Sequence, residues 1–186
     1  MNSERDYSTA VPKHGSVITF SGKMFSLLNP KPEDINIQDI AHSLANSCRW
    51  GGHCRSFFSV AEHSVLVSSL VPKEYALWGL LHDAGEAYLV DVPRPVKLLL
   101  NDYQAMEKKV MKAVCLRFKL DLQEPEIVKN ADSRLLADEA HQLGMYPELW
   151  GDNLLEPWGI NLDLLPPASA KERFLNRYTE IIRQNG

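Results

Sequence analysis

Three cysteines in 186 residues, Cys48, Cys54 and Cys115, form no C-x-x-C and cannot all pair. The chain therefore lacks a disulfide framework and reads as a protein of a reducing cytoplasm. Ten glycines and eleven prolines are too few for a collagenous or low-complexity chain. The longest strictly apolar run, residues 75–81, falls far short of the ~20 residues that a membrane span needs. Residues 1–13 lack the apolar core of a signal peptide. There is no excess of positive charge: 20 Lys and Arg stand against 24 Asp and Glu, a net charge of −4. A polymeric nucleic-acid binder usually carries a basic footprint, so phosphate chemistry here falls on a small ligand held by a few local cations. No repeat of 20–50 residues suggests a solenoid.

What remains is an ordinary globular composition, 45% apolar and 24% charged. The length suits one domain. Residues 1–186 are expected to form it, with about 1–14 disordered and 144–167 a long Pro- and Trp-containing packed loop or interface segment. The only strand signal is Val17-Ile18-Thr19-Phe20 and Lys23-Met24-Phe25 around Ser21-Gly22, which predicts a hairpin with a two-residue turn lying on helices. After Pro32 the pattern is helical. Ile40, Leu44 and Cys48 keep an i, i+4 spacing. Ser59 and Glu62 make a capping box before a helix that carries His63. A helix after Pro72 shows Leu77, Leu80, Leu81 and Ala84 and is stopped by Pro93 and Pro95. Further helices follow over Tyr103 to Val114 and over 125–143, and Ser169 with Glu172 predicts a capping box for the last one. The expected fold is all-α, a bundle of about seven helices with a small N-terminal hairpin.

Four polar residues occupy positions where that pattern calls for apolar ones: His63, His82, Asp83 and Asp132. A buried carboxylate is costly unless it is paired, protonated or bound to a metal. Two imidazoles and two carboxylates make a mixed N/O set suited to a divalent transition metal, Mn, Co, Zn, Ni or Fe. Glu86, i+4 from His82 and i+3 from Asp83, projects from the same face as a candidate general base for water. Asp91 follows near the same mouth.

The order His63, His82-Asp83, Asp132 resembles the H…HD…D signature of HD-domain metal-dependent phosphohydrolases. The stretch from His82-Asp83-Ala84-Gly85-Glu86 through Asp91-Val92-Pro93-Arg94-Pro95-Val96-Lys97 is similar to a block found in two groups of that family. These are bacterial 5′-deoxynucleotidases and the short dATP triphosphohydrolases of phages that replace adenine with 2-aminoadenine. Val128-Lys129-Asn130-Ala131-Asp132 resembles their last metal-ligand helix, and the likeness runs from about residue 20 to 139. It implies an HD-domain bundle with His63, His82, Asp83 and Asp132 as metal ligands. Glu86 becomes the water-orienting base and Asp91 a second polar group near the sugar or leaving oxygen. Arg49-Trp50 resembles a pair that touches phosphate and base: Arg offers a fork of donors, and an indole face is a platform for a nucleobase. Gly51-Gly52-His53 departs from the nucleotidase pattern.

The expected activity is hydrolysis of a deoxynucleotide phosphoester, with Arg49 and the metal stabilising phosphoryl charge and Glu86 handling the proton. Arg49, His53, Arg55, Arg94 and Lys97 cluster near the site in sequence, which leans the expectation to dATP, cleaved to deoxyadenosine and triphosphate. His53, Arg94 and Lys97 are accordingly further candidate substrate contacts. The alternative is a 5′-deoxynucleotidase acting on monophosphates. An alternative of another class is a catalytically weak nucleotide-binding regulator, although every expected ligand and Glu86 are present. The H-x-E with P-C-x-x-C of zinc deaminases, the H-E-x-x-H of zincins and the P-loop are absent. The expected partner is the small substrate, with neither polymeric nucleic acid nor membrane, in a cytoplasmic homo-oligomer.

Overall fold

A computed structural model describes residues 15–149 and 155–185. The expected disorder over 1–14 and Trp150 lie outside these residues. The fold is the expected one, mostly helical with a small two-stranded hairpin. Strand β1 (Ser16–Ile18) pairs antiparallel with β2 (Met24–Ser26), Val17 opposite Phe25. The turn is longer than its Ser-Gly pair suggested. Thr19 and Lys23 also bond across it, so five residues bend between the strands, with Gly22 at φ 79° supplying the left-handed step. The hairpin is fastened to the helices at both ends. Phe25 is buried against Tyr88, 4.1 Å between ring centres, and the Ser21 N–H and hydroxyl donate to Asp39.

Eight α segments follow among the described residues: α1 (Ile37–Asn46), α2 (Val60–Leu70), α3 (Ala76–Leu81), α4 (Glu86–Leu89), α5 (Arg94–Lys97), α6 (Asn101–Phe118), α7 (Glu126–Gln142) and α8 (Pro167–Asn185). Helix α1 begins at Asn36, whose side chain accepts from the Gln38 N–H. It buries Ile40, Ala41, Leu44 and Ala45 against α2 and α8. Helix α2 is central and touches α1, α3, α7 and α8. Gly79 lets α3 lie close on it. A Cβ there would stand 3.0 Å from the Ser68 Cα, so any larger residue would press the two helix backbones apart. The close crossing brings His82, three residues on, beside His63.

Three local expectations need correction. The helix after Pro72 does not run unbroken to Pro93: it breaks at residues 82–85, where Ala84 and Glu86 bond back three residues to Leu81 and Asp83. The chain then leaves α4 at Val90, whose φ of 111° is incompatible with a helix. Pro93 and Pro95 do not stop that helix but open α5, as N-cap and within its first turn. The last helix starts at Pro167, so Ser169 lies inside its first turn and forms no cap. Proline's missing N–H and preset φ take the place of a side-chain cap.

The capping box at α2 is half made. Ser59 accepts from the Glu62 N–H at 3.1 Å. The Glu62 carboxylate, however, turns away to accept the backbone N–H groups of Asp163, Leu164 and Leu165 at 2.8–3.0 Å. Asp138 does the same for Trp158 and Ile160 at 2.9 and 2.8 Å. The described part of the 144–167 segment is thus a packed strap, its main chain satisfied by two buried carboxylates. Glu62→Ala, which removes three acceptor contacts from a fully buried position, is expected to cost about 2–4 kcal/mol. Urea unfolding in the presence of a chelator checks this; an unchanged midpoint would mean that water replaces the carboxylate without loss.

Candidate metal centre

His63 comes from the first turn of α2, His82 and Asp83 from the break after α3, and Asp132 from α7 between the buried residues Ala131 and Leu135. Their donor atoms converge. His63 Nε2 lies 3.2 Å from His82 Nε2 and 3.1 Å from Asp132 Oδ1. Asp83 Oδ2 lies 3.2 Å from His82 Nε2 and 3.8 Å from His63 Nε2. The opposite nitrogen of each ring is already engaged. His63 Nδ1–H donates to Glu139 at 2.5 Å, and His82 Nδ1–H donates to the Gly79 carbonyl at 2.8 Å. Both Nε2 lone pairs therefore face one another across a gap lined by carboxylate oxygens. Two acceptors in that position repel unless a positive charge lies between them.

The electrostatics agree. Burial alone would lower the imidazole pKa values, yet the Asp83 and Asp132 carboxylates push His82 up to about 10. His63 is raised as well, against burial and Arg49, by Glu139 and Asp132. Burial would raise Asp132, but its contact with His63 holds it at about 2. Asp83 is depressed further by His82, His63 and Arg49. The site favours positive charge at one point, and His63, His82 and Asp132 could hold a metal ion there.

Glu139 is the residue that local pattern reading missed. It is fully buried on α7, its Oε1 on His63 Nδ1 and its Oε2 accepting from Arg49 Nε at 3.0 Å. The available signal was its place seven residues after Asp132, two turns along the same face. Arg49 also approaches Asp83 at 3.7 Å. It sits in a tight turn, residues 49–52, where Trp50 at φ 62° is left-handed, an uncommon conformation for an indole-bearing residue.

Glu86 lines a cavity of about 700 Å³ together with His82, Asp83 and Asp132. Its Oε1 accepts from Lys97 Nζ at 3.0 Å, while its Oε2 is buried with no protein partner among the described residues. Burial, with Asp83 and Asp91 nearby, raises its carboxyl pKa well above the usual range against the pull of Lys97. Lys97 is spanned between Glu86 and Glu107, the latter at 2.7 Å, which ties it to the candidate base. Asp91 is half-buried, its carboxyl raised by desolvation against Arg49. It follows Val90, a β-branched residue at positive φ whose carbonyl is held by the Tyr103 hydroxyl at 2.6 Å. Strained residues of this kind gather at functional sites. His53 and Arg94 are exposed, and Arg55 is turned to the Tyr146 hydroxyl at 2.9 Å.

Fold and site together define an all-α protein organised around a His, His, Asp cluster brought together from α2, the turn after α3 and α7. The chain is 42% identical over 168 residues to the uncharacterized protein YfdR of Escherichia coli (strain K12), covering 88% of this chain and 93% of that protein. It is 34% identical over 183 residues to the uncharacterized protein RCAP_rcc00048 of Rhodobacter capsulatus, again covering 88% and 93%. It belongs to the family of these proteins. No family model matches it, and no helix among the described residues is long and apolar enough to cross a membrane.

Proposed function

We propose that the protein is a divalent-metal-dependent phosphohydrolase acting on a small 5′-deoxynucleotide. The observation that carries this reading is the pair of imidazole Nε2 atoms 3.2 Å apart, each ring's other nitrogen already bonded, with Asp132 Oδ1 3.1 Å from one and Asp83 Oδ2, which stands outside the His63, His82, Asp132 set, 3.2 Å from the other. The N/O donor set suits Mn, Co, Zn, Ni or Fe. When bound, such an ion supplies Lewis-acid charge stabilisation and lowers the pKa of water. In hydrolysis a bond forms from the water oxygen to phosphorus, the ester P–O bond breaks, and the water's proton passes to Glu86 and from there to the departing 5′ oxygen, giving nucleoside hydroxyl and phosphate. The raised carboxyl pKa of Glu86 suits that task. Arg49, steadied by Glu139, presents its remaining N–H groups to the phosphoryl oxygens.

The number of phosphates turns on the cations. Of those that favoured a triphosphate, Arg49 and Lys97 are paired with carboxylates and Arg55 is bonded to Tyr146. Glu86, Glu107 and Glu124 also line the cavity, against Lys108 and Lys112. This charge pattern supports the monophosphate reading over dATP. The experiment is a panel of dNMPs and dNTPs after chelation and re-addition of Mn, Co, Ni, Zn or Mg. Phosphate and triphosphate release are read separately. The expected result is metal-dependent phosphate release from dNMPs; triphosphate release from dATP would restore the first sequence expectation, and no release from any nucleotide would overturn the function.

A further inference from the structure

The Glu139 carboxylate is shared between two groups with different tasks. One oxygen fixes the His63 ring and the other fixes the Arg49 side chain, and both contacts are buried. We propose that Glu139 is a positioning residue that ties metal occupancy to the grip on the substrate's phosphate. The phosphate half of this rests on the phosphohydrolase reading.

The chemistry of the carboxylate makes the dual role specific. By accepting from Nδ1–H it holds His63 in the tautomer whose Nε2 is a free donor to a cation. By accepting from Arg49 Nε it consumes one donor of the guanidinium and leaves Nη1 3.7 Å from Asp83 Oδ2, at the edge of the cluster. An amide in its place cannot do both. If the Gln oxygen faces His63, its NH2 meets the Arg49 N–H, donor against donor. If it faces Arg49, its NH2 meets His63 Nδ1, and the ring must carry its proton on Nε2, where a cation would bind. Either arrangement breaks one of the two contacts, and both remove the carboxylate charge that raises the basicity of His63 as a ligand, so cation affinity falls in each without a change of size.

Cobalt affinity and inorganic-phosphate affinity, measured by calorimetry on the full chain, read the two halves without turnover. Glu139→Gln is expected to weaken cobalt binding 10- to 100-fold. In the cobalt-loaded protein it should weaken phosphate binding, by no more than Arg49→Ala does, and the double variant should be no weaker than Arg49→Ala alone. Wild-type cobalt affinity in Glu139→Gln, or additive losses in the double variant, would overturn the proposal. Should the variant not fold, wild-type protein labelled with 15N at histidine and loaded with zinc decides the first half: His63 protonated on Nδ1 is expected, and protonation on Nε2 would overturn it. Because turnover is not read, absence of nucleotide hydrolysis would count against the phosphohydrolase reading while leaving the metal result intact.

Discussion

Glu86→Ala is expected to keep its bound metal and lose about 10²- to 10⁴-fold in kcat, the usual cost of removing a general base. One carboxylate oxygen is spent on Lys97, and the other is buried with no protein partner among the described residues, on the wall that also carries His82, Asp83 and Asp132. A buried acceptor without a partner is costly and is accounted for by a donor from outside the protein; under the proposed function that donor is the attacking water. Glu86→Gln should lose nearly as much, since it keeps the shape and the Lys97 contact but cannot take a proton. Cobalt absorption and phosphate release on the same purified variants separate the roles. A variant that sheds its metal but recovers the full rate when metal is restored would make Glu86 a ligand or a support.

His82→Ala should be more severe, losing both metal and turnover. The side chain contributes a donor atom at the centre of the cluster, and its ring is aimed there by the Gly79 carbonyl. Without it, Asp83 loses the imidazole that does most to depress its pKa. Metal content after dialysis and rate at saturating cobalt are the measurements. Full activity of the variant in chelating buffer would remove the metal from the mechanism altogether.

The four cluster residues were legible because each breaks an apolar pattern at a position that the helical period assigns to the core. Asp132, flanked by buried Ala131 and Leu135, is the clearest case. The break at 82–85 was not legible. The residues there suit a continuous helix, and only the tighter bonding to Leu81 and Asp83 reveals the turn. The capping box shows the same limit from the other side. Ser59 acts locally and was read correctly, whereas the Glu62 carboxylate answers to backbone a hundred residues away, which no local spacing encodes. Lys97 reads as a candidate substrate contact until its two carboxylate neighbours, one of them on α6, are brought to it. Pairing across the fold decides what a charge is for, and a linear pattern does not carry it.

Glu62 and Asp138, which hold the strap over 158–165, immediately precede His63 and Glu139 in the chain. Lifting the strap would strip two carboxylates of their backbone donors on the residues next to His63 and Glu139. The strap and the cluster are therefore expected to open together. A cation that binds only the closed arrangement then fastens a stretch of main chain it never touches, and the strap returns the same free energy to cation affinity.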